Sequence, residues 1–423
     1  MAAGPGSPVL VLLTGLGWLV LASLLGLAIL IGIVRGTPLP SSIKLIHVHG
    51  ALVGGLLQMM IGAVLMGLAI STTMNRPSAL SVRFILFNTA TLALLGGFAL
   101  RDYRITGSAG TALTVTVLLW GKEIWQFLRR EHRDAIDRFY YGFALLALAG
   151  GLLIGTGLAF HLIETRQGHA RLAHIHLTVL AFMTLAAIGL LQRWVPAALH
   201  GPIARPGLNA ATLLLLPAGT AGLLTGFLLT SLEIQLVAGG FFLIGILLHL
   251  YNQVRTWLEA GQPGHSATDH LLASSFFLFL TTVLGLAASF NSLRSPPLLP
   301  YGTLHIVAYT HTAFIGFLLQ VAIGGLSILL PAWLASQIAS TKKRGPYFAR
   351  LIGVMNKWRA VQLFTLGCGT LGLSVLASLT WTMPLGSSTT QAVAWAAVGL
   401  LAVNLALFCA KVAQLFVDRA GTD

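Results

Sequence analysis

Apolar stretches long enough to cross a lipid bilayer follow one another along nearly the whole chain, and the connections between them are too short to hold a water-soluble domain. About 20 helical residues cover a hydrocarbon core of ~30 Å. The stretches fall near 8–34, 42–72, 80–101, 105–128, 138–163, 170–198, 207–230, 233–258, 268–292, 299–334, 358–382 and 387–416. With no water to satisfy backbone polar groups in lipid, each must be a helix. The expectation is an all-α integral membrane protein of twelve transmembrane helices, forming a single membrane domain over 1–423.

Composition agrees. Of 423 residues, 56% are hydrophobic and 9% charged, against about 25% charged in soluble domains. The net charge of +14 does not indicate a nucleic-acid partner, because the basic residues sit in the short connections, where they orient helices in the bilayer. Cys368 and Cys409 lie inside separate apolar stretches and read as small buried hydrophobes. The N-terminus has no basic region before its first stretch, so that stretch reads as a retained span.

The charged connections set a direction. The longest, around 129–137 and 335–357, carry Arg129, Arg130 and Arg133, then Lys342, Lys343, Arg344, Arg350 and Lys357. With the N-terminus inside, the outer side collects Arg35, Lys44, Arg101, Arg104, Arg166, Arg171 and Arg294, which leaves 18 of the 25 Lys and Arg inside. Both termini are therefore expected in the cytoplasm.

Spans two, six and ten then run the same way, and they resemble one another. Span two has His49, Gly54, Leu57-Gln58 and Ile61-Gly62; span ten has His311, Gly316, Leu319-Gln320 and Ile323-Gly324 at the same offsets. Span six has His176 followed by Ile188-Gly189 at the same distance, and Pro196 and Pro331 lie equally far beyond His176 and His311. Three repeat units, approximately 1–128, 138–258 and 268–416, imply three pseudo-threefold four-helix arcs around an axis along the membrane normal.

Histidines mark these same helices. His47, His49, His174, His176, His305 and His311 all lie in the first third of their spans, hence at one depth toward the outer face. Ionisable groups inside a membrane usually point into the protein interior, and imidazole ligates heme iron and copper. Two such rings from different helices can hold one heme between them. Residues i and i+2 of a helix point about 200° apart, so His47 and His49 do not share one iron. His161, His249 and His270 have no repeated context and are expected to make interhelical hydrogen bonds. His132, His169, His200 and His265 fall in or beside connections and carry no assigned role.

The layout and these motifs resemble subunit I of the heme-copper oxidase and nitric oxide reductase superfamily, in particular the C-family oxidases and their shorter relatives. The resemblance rests on spans two, six and ten and is weak elsewhere. It implies a low-spin, bis-histidine heme b held by His49 and His311, with His47 competing for the first position. It also implies an active-site copper or non-heme iron near His176, whose segment through Gly189, Val195 and Pro196 matches, with His174 beside it. The sequence departs from the family twice. No His-His pair stands between Gly207 and Thr230, and Tyr309 in Ala308-Tyr309-Thr310-His311 replaces the expected axial ligand of a second, high-spin heme. Tyr309 is then either a packing residue or a tyrosinate ligand, with His305 as a displaced alternative.

The expectation is a heme b protein that transfers electrons in a respiratory complex of a bacterial or archaeal cytoplasmic membrane. Its partners would be other membrane or cytochrome subunits, with quinol or a separate cytochrome c as donor, since no c-type attachment motif occurs. Three alternatives stay open: a terminal oxidase or nitric oxide reductase using His174, His176 and His305; a transporter or heme- or metal-handling protein; and a cofactor-free structural subunit. Whether the chain is an oxidoreductase in its own right is left undecided by the sequence.

Overall fold

The computed structural model describes residues 7–71, 79–131, 136–163, 167–338 and 340–417, and among them the only regular structure is helical. Arg133, Arg166 and His132 lie outside the described residues. In chain order the helices are α1 (Pro8–Val34), α2 (41–71), α3 (Ala79–Leu100), α4 (Tyr103–Glu131), α5 (Asp137–Ala159), α6 (Gln167–Leu199), α7 (Pro206–Leu229), α8 (Leu232–Glu259), α9 (Ser266–Ser292), α10 (Thr303–Ser336), α11 (Thr341–Asn356), α12 (Arg359–Leu379) and α13 (Ser388–Val417). Eleven of them are long and apolar enough to cross a membrane; α4 and α11 fall outside that set.

The exceptions have physical reasons. At 29 residues α4 is long enough, but threonines and the charged Lys122, Glu123, Arg129 and Arg130 dilute its hydropathy. Its Glu123 forms an ion pair with Arg83 of α3. Helix α11 occupies what the sequence suggested was a charged connection. It lays Tyr347, Leu351, Val354 and Met355 inward while Lys342, Lys343 and Arg344 stay exposed.

Local chemistry sets the helix ends. Ser7 accepts from the Leu10 N–H ahead of Pro8, and Ser231 accepts from Ile234 N–H. Left-handed residues turn the chain at Arg101, His200, Thr230 and Trp358. A further one, His161, ends α5 earlier than the expected 163. That corrects the reading of His161 as an interhelical hydrogen-bonding residue: it sits in the turn, with its ring edge-on to Tyr103 at 5.5 Å.

Helices α2, α6 and α10 bury 56%, 67% and 67% of their central windows, and no other span exceeds 44%, so these three are the inner helices. Consecutive helices pack side by side along the chain, and α13 returns to α1. There Gln391 Nε2 donates to the Val34 carbonyl at 3.0 Å, and Arg35 lies over Trp395 at 5.5 Å. The helices thus close into a ring around α2, α6 and α10.

Each inner helix meets its predecessor in the same way. A Cβ on Gly62 would stand 2.8 Å from the Leu12 nitrogen, and one on Gly324 would stand 2.8 Å from Leu271 Cδ2. On Gly189 it would stand 3.2 Å from Tyr141 Cζ. The repeated Ile-Gly pairs are therefore sites of close helix approach, as small residues permit in membranes.

All three inner helices also change winding at the same place. Gly50–Leu57, His176–Met183 and Thr312–Leu319 are π-helical, each directly following or beginning at its histidine. Such segments are rare and concentrate at functional sites.

Candidate functional site

Five histidines and one tyrosine form two sets. His49, His176 and His311 each direct Nδ1 to the carbonyl four residues back on the same helix: Leu45 at 3.0 Å, Leu172 at 2.8 Å and Val307 at 2.8 Å. His47 and His174 instead direct Nδ1 to the preceding helix, reaching the Ala22 carbonyl at 2.8 Å and the Gly151 carbonyl at 2.7 Å. A carbonyl oxygen only accepts, so each Nδ1 carries the proton and each Nε2 presents its lone pair. No protein group among the described residues hydrogen-bonds any of these five Nε2 atoms.

Glycines make room for the second set. A Cβ on Gly26 would lie 2.6 Å from His47 Cε1, and one on Gly155 would lie 2.6 Å from His174 Cε1. Tyr309 stands at the corresponding position of α10, and a Cβ on Gly285 would approach its Oη to 3.0 Å. Neither Gly26 nor Gly155 was singled out from the sequence. No common spacing marks them, since Gly26 precedes His47 by 21 residues and Gly155 precedes His174 by 19.

The two sets meet between α2 and α10. The rings of His47 and His311 face each other with centroids 6.1 Å apart and planes inclined by only 7°. His49, the position the resemblance favoured for the first ligand, packs on Phe98 at 4.6 Å instead, as His176 packs on Phe227 at 4.3 Å. His49, His176, His311 and Tyr309 are surrounded by protein, yet each keeps partial accessible surface.

The separation of the His47 and His311 rings is of the size that a heme with two axial imidazoles requires. Two metal–imidazole bonds of ~2.0–2.1 Å, plus ~1.2 Å from each nitrogen to its ring centre, put the centroids of two axial imidazoles about 6.4 Å apart. The observed separation is close to this, and a porphyrin brings its own four equatorial nitrogens. A bare ion is served less well, since among the described residues no three His, Cys, Asp or Glu side chains gather to hold one. His174 and His176 accordingly form no metal shell by themselves. Two small apolar cavities, of about 40 Å³ each, lie farther along the inner helices and include none of the histidines.

The remaining histidines do other work. His305 accepts the Gly302 N–H at 3.1 Å through Nδ1 at the start of α10, and its ring lies on Trp381 at 5.0 Å. It is not brought to His311. His270 hydrogen-bonds Gln320, and His249 Nε2 lies 3.4 Å from Ser275 Oγ, both between helices. Sequence reasoning did not anticipate Lys411, buried in α13 and donating to the Met355 carbonyl at 2.9 Å and to Gln362 Oε1. In the turn before α9, burial and the neighbouring Arg359 push the His265 pKa down.

No family model matches the chain, and no curated protein is similar to it.

Proposed function

We propose that the chain binds a low-spin heme b between His47 and His311 and passes electrons through it within a respiratory membrane complex. The observation that carries this reading is the pair of nearly parallel rings at 6.1 Å, each with Nδ1 held by a carbonyl and Nε2 free. When bound, the heme supplies a one-electron redox centre. The protein's part is to fix both imidazoles in one tautomer and one orientation, so that ligation costs little reorganisation. The surrounding apolar helices keep water from the ligand pair.

The wider frame belongs to the same proposal. We read α4 as a twelfth crossing, since its 29 residues extend ~44 Å and the Arg83–Glu123 pair lowers the cost of its charges. Three four-helix arcs, both termini inside, and a bacterial or archaeal cytoplasmic membrane complete it. Quinol or a separate cytochrome c is the proposed donor. The scaffold is of the oxidase subunit I kind, with Tyr309 replacing one heme ligand; that replacement disfavours oxygen or nitric oxide chemistry.

A pyridine-hemochrome assay and a reduced-minus-oxidised spectrum of the purified protein test this. A b-type band is expected, weakened or lost in His47→Ala and in His311→Ala and retained in full in His265→Ala. Protein purified with no b-type band ends the proposal. Stoichiometric copper or non-heme iron together with carbon monoxide binding in the wild type would favour the terminal-oxidase alternative.

A further inference from the structure

Three inner helices inside a closed ring create three interfaces: α10/α2, α2/α6 and α6/α10. Each inner helix contributes its two site positions in opposite directions, one toward each neighbour. At the α10/α2 interface these positions are His311 and His47. At α2/α6 they are His49 and His174, and at α6/α10 they are His176 and Tyr309.

The α2/α6 pair repeats the hydrogen bonding and the glycine clearance of the first; the ring contact of His49 is with Phe98, not with His174. His49, like His311, bonds the carbonyl four residues back, and His174, like His47, bonds a carbonyl of the preceding helix. Gly155 clears the His174 ring to the same 2.6 Å at which Gly26 clears His47. His174 is an electrostatic neighbour of His49, as His47 is of His311. Phe98 lies against the His49 ring at 4.6 Å, and no group among the described residues hydrogen-bonds the His49 Nε2.

Farther into the membrane the same interface is not closed. A small apolar cavity of about 40 Å³ lies there, lined by Leu57, Tyr141, Leu148 and Phe182 among others from α2, α4, α5 and α6. Eight residues separate His49 from Leu57, or ~12 Å of helix. No third His, Cys, Asp or Glu joins the pair among the described residues. Two imidazoles with Nδ1 held by carbonyls and no third ligand suit a metal that arrives with its equatorial ligands already in place.

We infer that the α2/α6 interface binds a second heme, with His49 and His174 as its axial ligands. The inference rests on the reading of His47 and His311 as heme ligands, and each fails separately. The α6/α10 interface, where Tyr309 interrupts the pattern, binds none.

Heme per chain, measured on the intact wild-type protein by pyridine hemochrome against quantitative amino-acid analysis, is expected to be two. His49→Ala and His174→Ala each halve it, His47→Ala removes the other half, and His176→Ala leaves it unchanged. The wild-type value needs no variant to fold. One heme per chain, lost with His47→Ala and indifferent to His174→Ala, overturns this inference, makes Phe98 the filler of the second interface and leaves the first site standing. One heme plus one copper that His49→Ala removes also overturns it. No heme at all ends both readings.

Discussion

Replacing Gly26 with alanine would place a methyl group 2.6 Å from Cε1 of His47, where ordinary contact begins at 3.4 Å. The ring must retreat by the difference, 3.4 − 2.6 = 0.8 Å, away from α1. That retreat strains its 2.8 Å hydrogen bond to the Ala22 carbonyl and displaces Nε2 by a large fraction of a ~2.0 Å metal–nitrogen bond. Overpacking costs about 1–3 kcal/mol and the lost hydrogen bond about 1 kcal/mol. At 1.4 kcal/mol per tenfold, a total of roughly 2–4 kcal/mol weakens ligation by His47 about 30- to 700-fold. The low-spin heme of the His47/His311 site should give way to a five-coordinate species held by His311, which binds carbon monoxide where the wild type does not. Optical and carbon monoxide difference spectra read this directly. Gly17→Ala is the control on the same helix, because nothing lies within 4 Å of its Cβ position. An unchanged low-spin spectrum in Gly26→Ala, or an equal loss in Gly17→Ala, would refute the reasoning.

Other perturbations probe the frame. Gly62→Val inserts bulk against the Leu12 backbone and should lower the detergent melting temperature through at least ~1–3 kcal/mol of overpacking. Gly240→Ala, with open space around it, should shift the melting temperature little; equal shifts would discard the close-approach account. His270→Leu strips Gln320 Oε1 of its donor at a cost of about 1–3 kcal/mol. The double variant His270→Leu/Gln320→Leu should recover part of the lost thermal stability, and a double variant no better than the single one would show that the pair is not the unit. For orientation, Leu298→Cys in a background with Cys368 and Cys409 replaced should react with an impermeant maleimide on intact cells. Gly345→Cys should react only after permeabilisation, and the opposite pattern would invert the topology.

How far the sequence carried the structure is clearest at His47 and His49. Helical geometry required the two rings to point apart, which they do. It did not say which of them meets α10, because that depends on the direction in which the helices run around the ring. Ala22 and Gly26 of α1 settle it by seating His47. The inner helices were legible because histidine, glycine and proline recur in them at fixed offsets. Helix α11 was not, since Tyr347, Leu351 and Val354 are scattered among basic residues that read as a connection. The hydropathy that marks the other spans is diluted in α4 by its threonines and charges. The π segments leave no trace in uniformly apolar sequence, where a shifted period has no polar residues to reveal it.

Those π segments account for spacings that a regular helix would not tolerate. Along α2 the residues facing α1 include His47, Gly55, which lies against Leu19, and Gly62, which lies against Leu12. The second interval is seven residues, about 700° of rotation and so within ~20° of two full turns. The first is eight residues, about 800°, which would swing His47 some 80° off the α1 face. The π segment Gly50–Leu57 covers most of that interval, and one extra residue taken up by π winding removes about 100° of the rotation. Fifteen residues separate His47 from Gly62, and likewise Tyr309 from Gly324 along α10 and His174 from Gly189 along α6, each across its own π segment. The unusual winding therefore lets one helix keep its outer-half ring and its inner-half glycine on the same neighbour. Without it, tight packing below would turn the imidazoles above away from the interfaces where they meet.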